Sequence, residues 1–79
     1  MQQIKILGTG CAKCKTTEAR VREVVSELGL NVAIEKVEDI QAIMAYDILA
    51  TPAIVIDEAV VHSGLPSLDQ VRTLLTAQR

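Results

Sequence analysis

Apolar positions along the chain follow first one spacing and then another, and glycine or proline marks most of the changes. Gln3 to Leu7 is a short run, apolar and β-branched at Ile4 and Ile6, that Gly8 and Gly10 interrupt; it predicts a strand. From about Ala12 to Leu28 the spacing becomes helical. Thr17, Val21, Val24, Val25 and Leu28 fall on one face, and Glu18, Arg22, Glu23 and Glu27 on the other. Glu18 and Arg22 stand i,i+4 in the order that favours an ion pair on a helix, and Gly29 supplies a C-terminal stop. Residues 31–37 predict a second strand, with Val32 and Ile34 on one face and Ala33 and Val37 on the other. Apolar residues on both faces imply a sheet covered on both sides. Strand, helix and strand in so short a stretch make a βαβ unit, for which parallel strands and a right-handed crossover are expected.

Asp39 is suited to cap a second helix, which would turn Ile40, Ile43, Met44 and Ile48 inward. Pro52 ends that region and moves Thr51 out of helical geometry. Ala53–Ile56 and residues 60–63 predict a third and a fourth strand, separated only by Asp57, Glu58 and Ala59. So short a connection makes them an antiparallel hairpin, although the turn lacks the glycine that hairpin loops favour. After Gly64 and Pro66, Ser67 and Gln70 have the spacing of a capping box. Leu68, Val71, Leu74 and Leu75 then recur at helical spacing. The predicted order is β-α-β-α-β-β-α, an α/β arrangement that ends on a helix.

Seventy-nine residues make one domain, residues 1–79, in which roughly 60% of the unfolded surface can be buried. Hydrophobic residues are 49% of the chain, yet Tyr46 is the only aromatic, so the core must be built from Ile, Val and Leu. A net charge of −2 and a pI near 5.2 give no basic footprint for nucleic acid. No apolar run approaches the ~18 residues of a membrane span. The start, Met1-Gln2-Gln3-Ile4-Lys5, lacks the basic leader and apolar segment of a signal peptide. A cytoplasmic monomer without linker or repeat is the expectation.

That setting changes the meaning of the two cysteines. Cys11 and Cys14 form a C-x-x-C at the junction of first strand and first helix. Cytosolic thiols are kept reduced, so the pair points to redox chemistry or metal binding rather than to a structural bridge. At a helix start, unpaired N–H groups and the positive dipole end stabilise a thiolate at Cys11, and the thiolate is the form that attacks a disulfide. Cys11 is then the candidate nucleophile, and Cys14 the thiol that resolves the mixed disulfide. No cofactor beyond this redox-active pair is called for. Lys13 and Lys15 stand in the first turn, where cations oppose the dipole. Either Lys13 helps hold the Cys11 pKa down, or both are solvated side chains.

Two alternatives use the same thiols. A soft metal or metalloid such as Cu(I) suits two thiolates, whereas Zn(II) would want four ligands and hence a dimer. Heavy-metal-associated domains also place a C-x-x-C after a first strand, but they typically carry a Met nearby and end on a strand. An interaction module governed by the redox state of the pair is the third possibility. His62 is expected at an exposed edge, Tyr46 and Met44 in the core, and Glu35, Glu38, Asp39 and Asp47 on a solvated surface.

The C-x-x-C after the first strand and the Thr51-Pro52 before the third together resemble the thioredoxin fold. More closely, the chain resembles the very short thioredoxin-like proteins known as redox-active disulfide proteins. It does so through Gly8-Thr9-Gly10-Cys11-Ala12-Lys13-Cys14, through Thr51-Pro52-Ala53, and through Val60-Val61-His62-Ser63-Gly64-Leu65-Pro66-Ser67. The resemblance implies a four-stranded mixed sheet in the order 2-1-3-4, flanked by helices, and a cis Thr51–Pro52 bond beside Cys11. It also implies that Thr51, Pro52 and Gly10 receive the substrate. The activity implied is dithiol–disulfide exchange of the thioredoxin or glutaredoxin kind, coupled to electron transport. Its partners would be a disulfide-containing protein or small thiol and a reductase. Two family features are absent: the strand before the cysteines carries Lys5 where larger members hold a buried carboxylate, and there is no tryptophan.

Overall fold

The computed structural model describes residues 3–48 and 51–77, so Met1 and Gln2 of the start discussed above lie outside the described residues. Four strands and three helices follow one another as β1 (Gln3–Leu7), α1 (Ala12–Leu28), β2 (Ala33–Val37), α2 (Ile40–Met44), β3 (Ala53–Ile56), β4 (Ala59–Ser63) and α3 (Leu68–Ala77). The strands form one sheet in the order β2-β1-β3-β4. β1 is parallel to β2, pairing Leu7 with Val37, and antiparallel to β3, pairing Leu7 with Ala53. This is the mixed sheet that the family resemblance implies. β2 begins two residues later than the spacing predicts, and β4 one residue earlier.

Alternation along β1 and β3 divides the core into two layers. Ile4, Ile6, Ile54 and Ile56 point to one side, where Val21 and Val24 of α1 and Val71 and Leu75 of α3 complete a cluster. Leu7, Ala53 and Val55 point to the other, against Ile43 of α2, with Val37, Tyr46 and Ile48 packed around them. The sheet is thus covered on both faces, as the two-sided apolar pattern of β2 predicts.

The second layer corrects one expectation. Ile40 and Met44 are 58% and 70% exposed, not turned inward, and Met44 is not a core residue. At five residues α2 is little more than one turn, so only Ile43 faces the sheet. Tyr46 and Ile48, from the segment after the helix, cover the area a longer helix would have covered.

The β3–β4 hairpin explains how a turn without glycine can close. Asp57 and Glu58 both have positive φ, 49° and 71°, as a two-residue type I′ turn requires. Asp57 exchanges bonds with Gln3, donating its N–H to Gln3 O and accepting the Gln3 N–H on Oδ1, each at 3.0 Å. The Glu58 carboxylate accepts from Lys5 Nζ at 2.7 Å. Side-chain contacts to β1 therefore hold two non-glycine residues in the left-handed region. Lys5 also donates to the Tyr46 hydroxyl at 3.0 Å, and these bonds to Glu58 and Tyr46 hold its pKa above the usual lysine range.

Helix ends follow the sequence closely. Asp39 caps α2 by accepting the Gln41 N–H at 3.2 Å. Ser67 and Gln70 form a complete capping box, with reciprocal bonds of 2.8 and 3.1 Å. Gly29 closes α1 at φ 65°. Arg72 ties α3 to α1 through two bonds to the Glu27 carboxylate, at 2.7 and 3.0 Å. Among the described residues no helix is long and apolar enough to cross a membrane.

Candidate active site

The turn from β1 into α1 is built around a glycine that makes room for a sulfur. Gly8 is buried and donates its N–H to Val37 O at 2.9 Å. A Cβ added there would collide with Cys14 Sγ and lie 3.0 Å from Cys14 Cβ. Gly10 follows at φ 85°, a left-handed conformation that suits glycine. Cys11 comes next as the N-cap of α1, extended at φ −69° and ψ 168°. Its carbonyl accepts the Lys15 N–H at 3.0 Å, beginning the helix. Its Sγ accepts the Cys14 N–H at 3.3 Å, so the thiol occupies the place a capping serine oxygen would take.

The two thiols are free and sit in opposite surroundings. Cys11 is exposed, and Cys14 is only 4% exposed. The hydrogen bond from the Cys14 thiol, then the one from the Cys14 N–H, draws the Cys11 pKa below the ordinary thiol value. Burial, then the contact with Cys11, pushes the Cys14 thiol up. Ionisation is therefore easier at the exposed sulfur than at its buried neighbour. Lys13 enters through its backbone N–H, which is among the groups that lower Cys11. Thr17, fully buried one turn on, donates its hydroxyl to Lys13 O at 2.9 Å and braces this first turn.

The register brings a second segment to the same end of the sheet. Because Leu7 pairs with Ala53, Thr51 and Pro52 lie where β1 gives way to Gly8 and the cysteines. The Thr51–Pro52 bond is cis, Pro52 is buried and Thr51 exposed. Pro52 O accepts the Gly64 N–H at 2.7 Å, so the loop after β4 joins this end as well. Cys11, Cys14, Gly10, Lys13, Thr51 and Pro52 thus belong to one end of the fold.

His62 stands apart from them. It is half-buried on the edge strand β4 and lines an open cleft of about 310 Å³ with Asp69, Gln70, Thr73 and Leu74. Two residues gain a role that spacing did not give them. Gly8 reads in the sequence only as the end of a strand, since its contact with Cys14 depends on how the helix folds back. Glu38 reads as solvated surface, yet its carboxylate lies beside Gly10. Among the described residues, no group of three or more His, Cys, Asp or Glu converges as a metal site.

Comparison with known proteins fits this geometry. The sequence model of a family described as a thioredoxin domain matches residues 2–76. A protein named thioredoxin from Methanocaldococcus jannaschii is 37% identical over 73 residues, covering 91% of this chain and 84% of that protein. A second thioredoxin, from Methanothermobacter thermautotrophicus, is 32% identical over 77 residues, covering 96% of this chain and all of that protein.

Proposed function

The chain belongs to the thioredoxin family, and on that premise we propose that Cys11 and Cys14 carry out dithiol–disulfide exchange, with Cys11 as nucleophile and Cys14 as resolving thiol. The observation that carries this reading is the asymmetry of the pair: an exposed sulfur whose pKa is drawn down beside a buried one whose pKa is pushed up. The Cys11 thiolate attacks one sulfur of a substrate disulfide. That S–S bond breaks, a Cys11–substrate disulfide forms, and the released thiolate takes up a proton. Cys14 then loses its proton and attacks Cys11 Sγ, closing the Cys11–Cys14 disulfide and releasing the second substrate thiolate. The substrate gains two electrons and the pair loses two. A reductase returns them, completing an electron-transport cycle.

Several finer elements belong to the same proposal. The substrate is a disulfide in a protein or a small thiol compound. Thr51 and Pro52 receive its backbone as a short added strand, with Gly10 leaving room on the other side of Cys11. A monomer in a reducing compartment such as the cytoplasm suits a pair that must be returned to the dithiol after each turnover.

Alkylation against pH tests the asymmetry. With a neutral alkylating agent, Cys11 should react first, with a midpoint below the ~8.5 of an unperturbed thiol. Its rate should fall as pH drops through that midpoint, because the thiolate is lost. Cys14 should remain protected until higher pH. Equal reactivity of the two, or a Cys11 midpoint at or above the ordinary value, would remove the basis for assigning the roles.

A further inference from the structure

Charges around the exposed sulfur are divided by sign. The first turn of α1 contains no acidic residue, and Lys13 and Lys15 are both exposed there. On the β2–α2 side the carboxylates are Glu38 and Asp39. Asp39 turns a carboxylate oxygen to the Gln41 N–H at the start of α2, and Glu38 is the carboxylate of that flank that reaches Gly10. Apart from the residues on either side of Gly10, Glu38 Oε2 is the nearest atom to the vacant Cβ position there, 3.9 Å away. Glu38 Oε1 is paired with Lys36 Nζ at 3.4 Å. The same ammonium is 3.5 Å from Glu18 Oε1 on α1, so Lys36 braces the carboxylate between strand and helix. The Glu38 side chain is nonetheless 55% exposed. It is thus a held negative charge, open to solvent, beside the residue that precedes Cys11.

We propose that Glu38 is a specificity-determining residue, favouring disulfides whose reacting cysteine is flanked by a basic residue. This rests on the exchange chemistry at Cys11 proposed above. A substrate cysteine bonding to Cys11 Sγ must bring its own neighbours over the Gly10–Cys11 segment. Each neighbour stands only about 3.3–3.6 Å along the chain from the reacting residue. Its side chain therefore passes close to the Glu38 carboxylate. Two unit charges about 6 Å apart in water change an association constant about threefold. Gly10 makes this approach possible, because a side chain there would stand between Glu38 and the substrate.

The test compares two peptide disulfides of the same length, one with lysine and one with glutamate on both sides of each cysteine. The readout is the ratio of their kcat/KM values at low ionic strength. Glu38→Gln should lower the lysine-to-glutamate ratio about tenfold, roughly threefold from each peptide, in opposite directions. The change should sit in KM and shrink as salt approaches physiological strength. A merely structural role would slow both peptides alike and leave the ratio where it was, and that result would overturn the inference. Reduction of neither peptide by the unaltered protein would instead sink the exchange reading, and this inference with it.

Discussion

Cys11→Ser is expected to leave a folded protein whose disulfide reduction does not exceed the uncatalysed background. The N-cap geometry explains both halves of that outcome. A serine oxygen can accept the Cys14 N–H that Cys11 Sγ now accepts at 3.3 Å, and serine is among the preferred N-cap residues, so α1 keeps its start. What disappears is the accessible thiolate, without which no mixed disulfide forms. Cys14 cannot substitute, because it is buried and its pKa is raised. Cys14→Ser should behave differently. It still attacks substrate through Cys11, yet accumulates the Cys11–substrate disulfide because no second thiol stands one turn away. A reductant-coupled assay measures the first effect, and mass spectrometry of the quenched reaction detects the second. Retained turnover in Cys11→Ser, or trapping at Cys14 instead of Cys11, would reverse the assignment.

Gly8→Ala is expected to damage both stability and exchange, although residue 8 carries no chemistry. The new methyl would fall on Cys14 Sγ and within 3.0 Å of Cys14 Cβ. Neither neighbour is free to retreat. Gly8 is pinned by its bond to Val37 O at 2.9 Å, and Cys14 belongs to the first turn of α1, which Thr17 braces from below. Forcing a methyl into a filled site costs about 1–3 kcal/mol. Each 1 kcal/mol corresponds to roughly 4–8 °C in Tm for a domain of this size. The displaced Cys14 should also resolve mixed disulfides more slowly, so such species should become visible in single-turnover reactions. An unchanged melting temperature with normal resolution would mean that the Gly8–Cys14 contact does not constrain the pair.

These two predictions differ in how far they could be read from the sequence. The order of elements, the start of α1 and the opposed fates of its two faces follow from spacing and from the Gly and Pro punctuation, whereas the strand order 2-1-3-4 comes only through the family resemblance. The C-x-x-C at a strand-to-helix junction identifies the candidate chemistry through the behaviour of thiols at helix starts. The caps at Asp39 and Ser67 are local signals, and local signals survive folding. What spacing could not supply depends on tertiary placement. The residues around α2 have an inward-looking spacing, but the helix stops after five residues, leaving Ile40 and Met44 in solvent. The Asp57-Glu58 turn carries no glycine, and its geometry is held by Gln3 and Lys5 on the neighbouring strand, more than 50 residues away in sequence. Gly8 and Glu38 matter through what they touch, namely Cys14 and the space at Gly10. Neither contact leaves a trace in periodicity or composition.

The most direct test of the central claim is a redox titration of the Cys11/Cys14 pair in thiol–disulfide buffers without metal, followed by alkylation and mass analysis. One two-electron transition between dithiol and intramolecular disulfide is predicted, its slope close to 30 mV per decade. A midpoint near or below about −270 mV would make the pair a reductant, and one well above about −200 mV an oxidant or isomerase. Failure to form an intramolecular disulfide at any poise, with the two thiols instead binding Cu(I) stoichiometrically, would contradict dithiol–disulfide exchange and make metal binding the function of the pair.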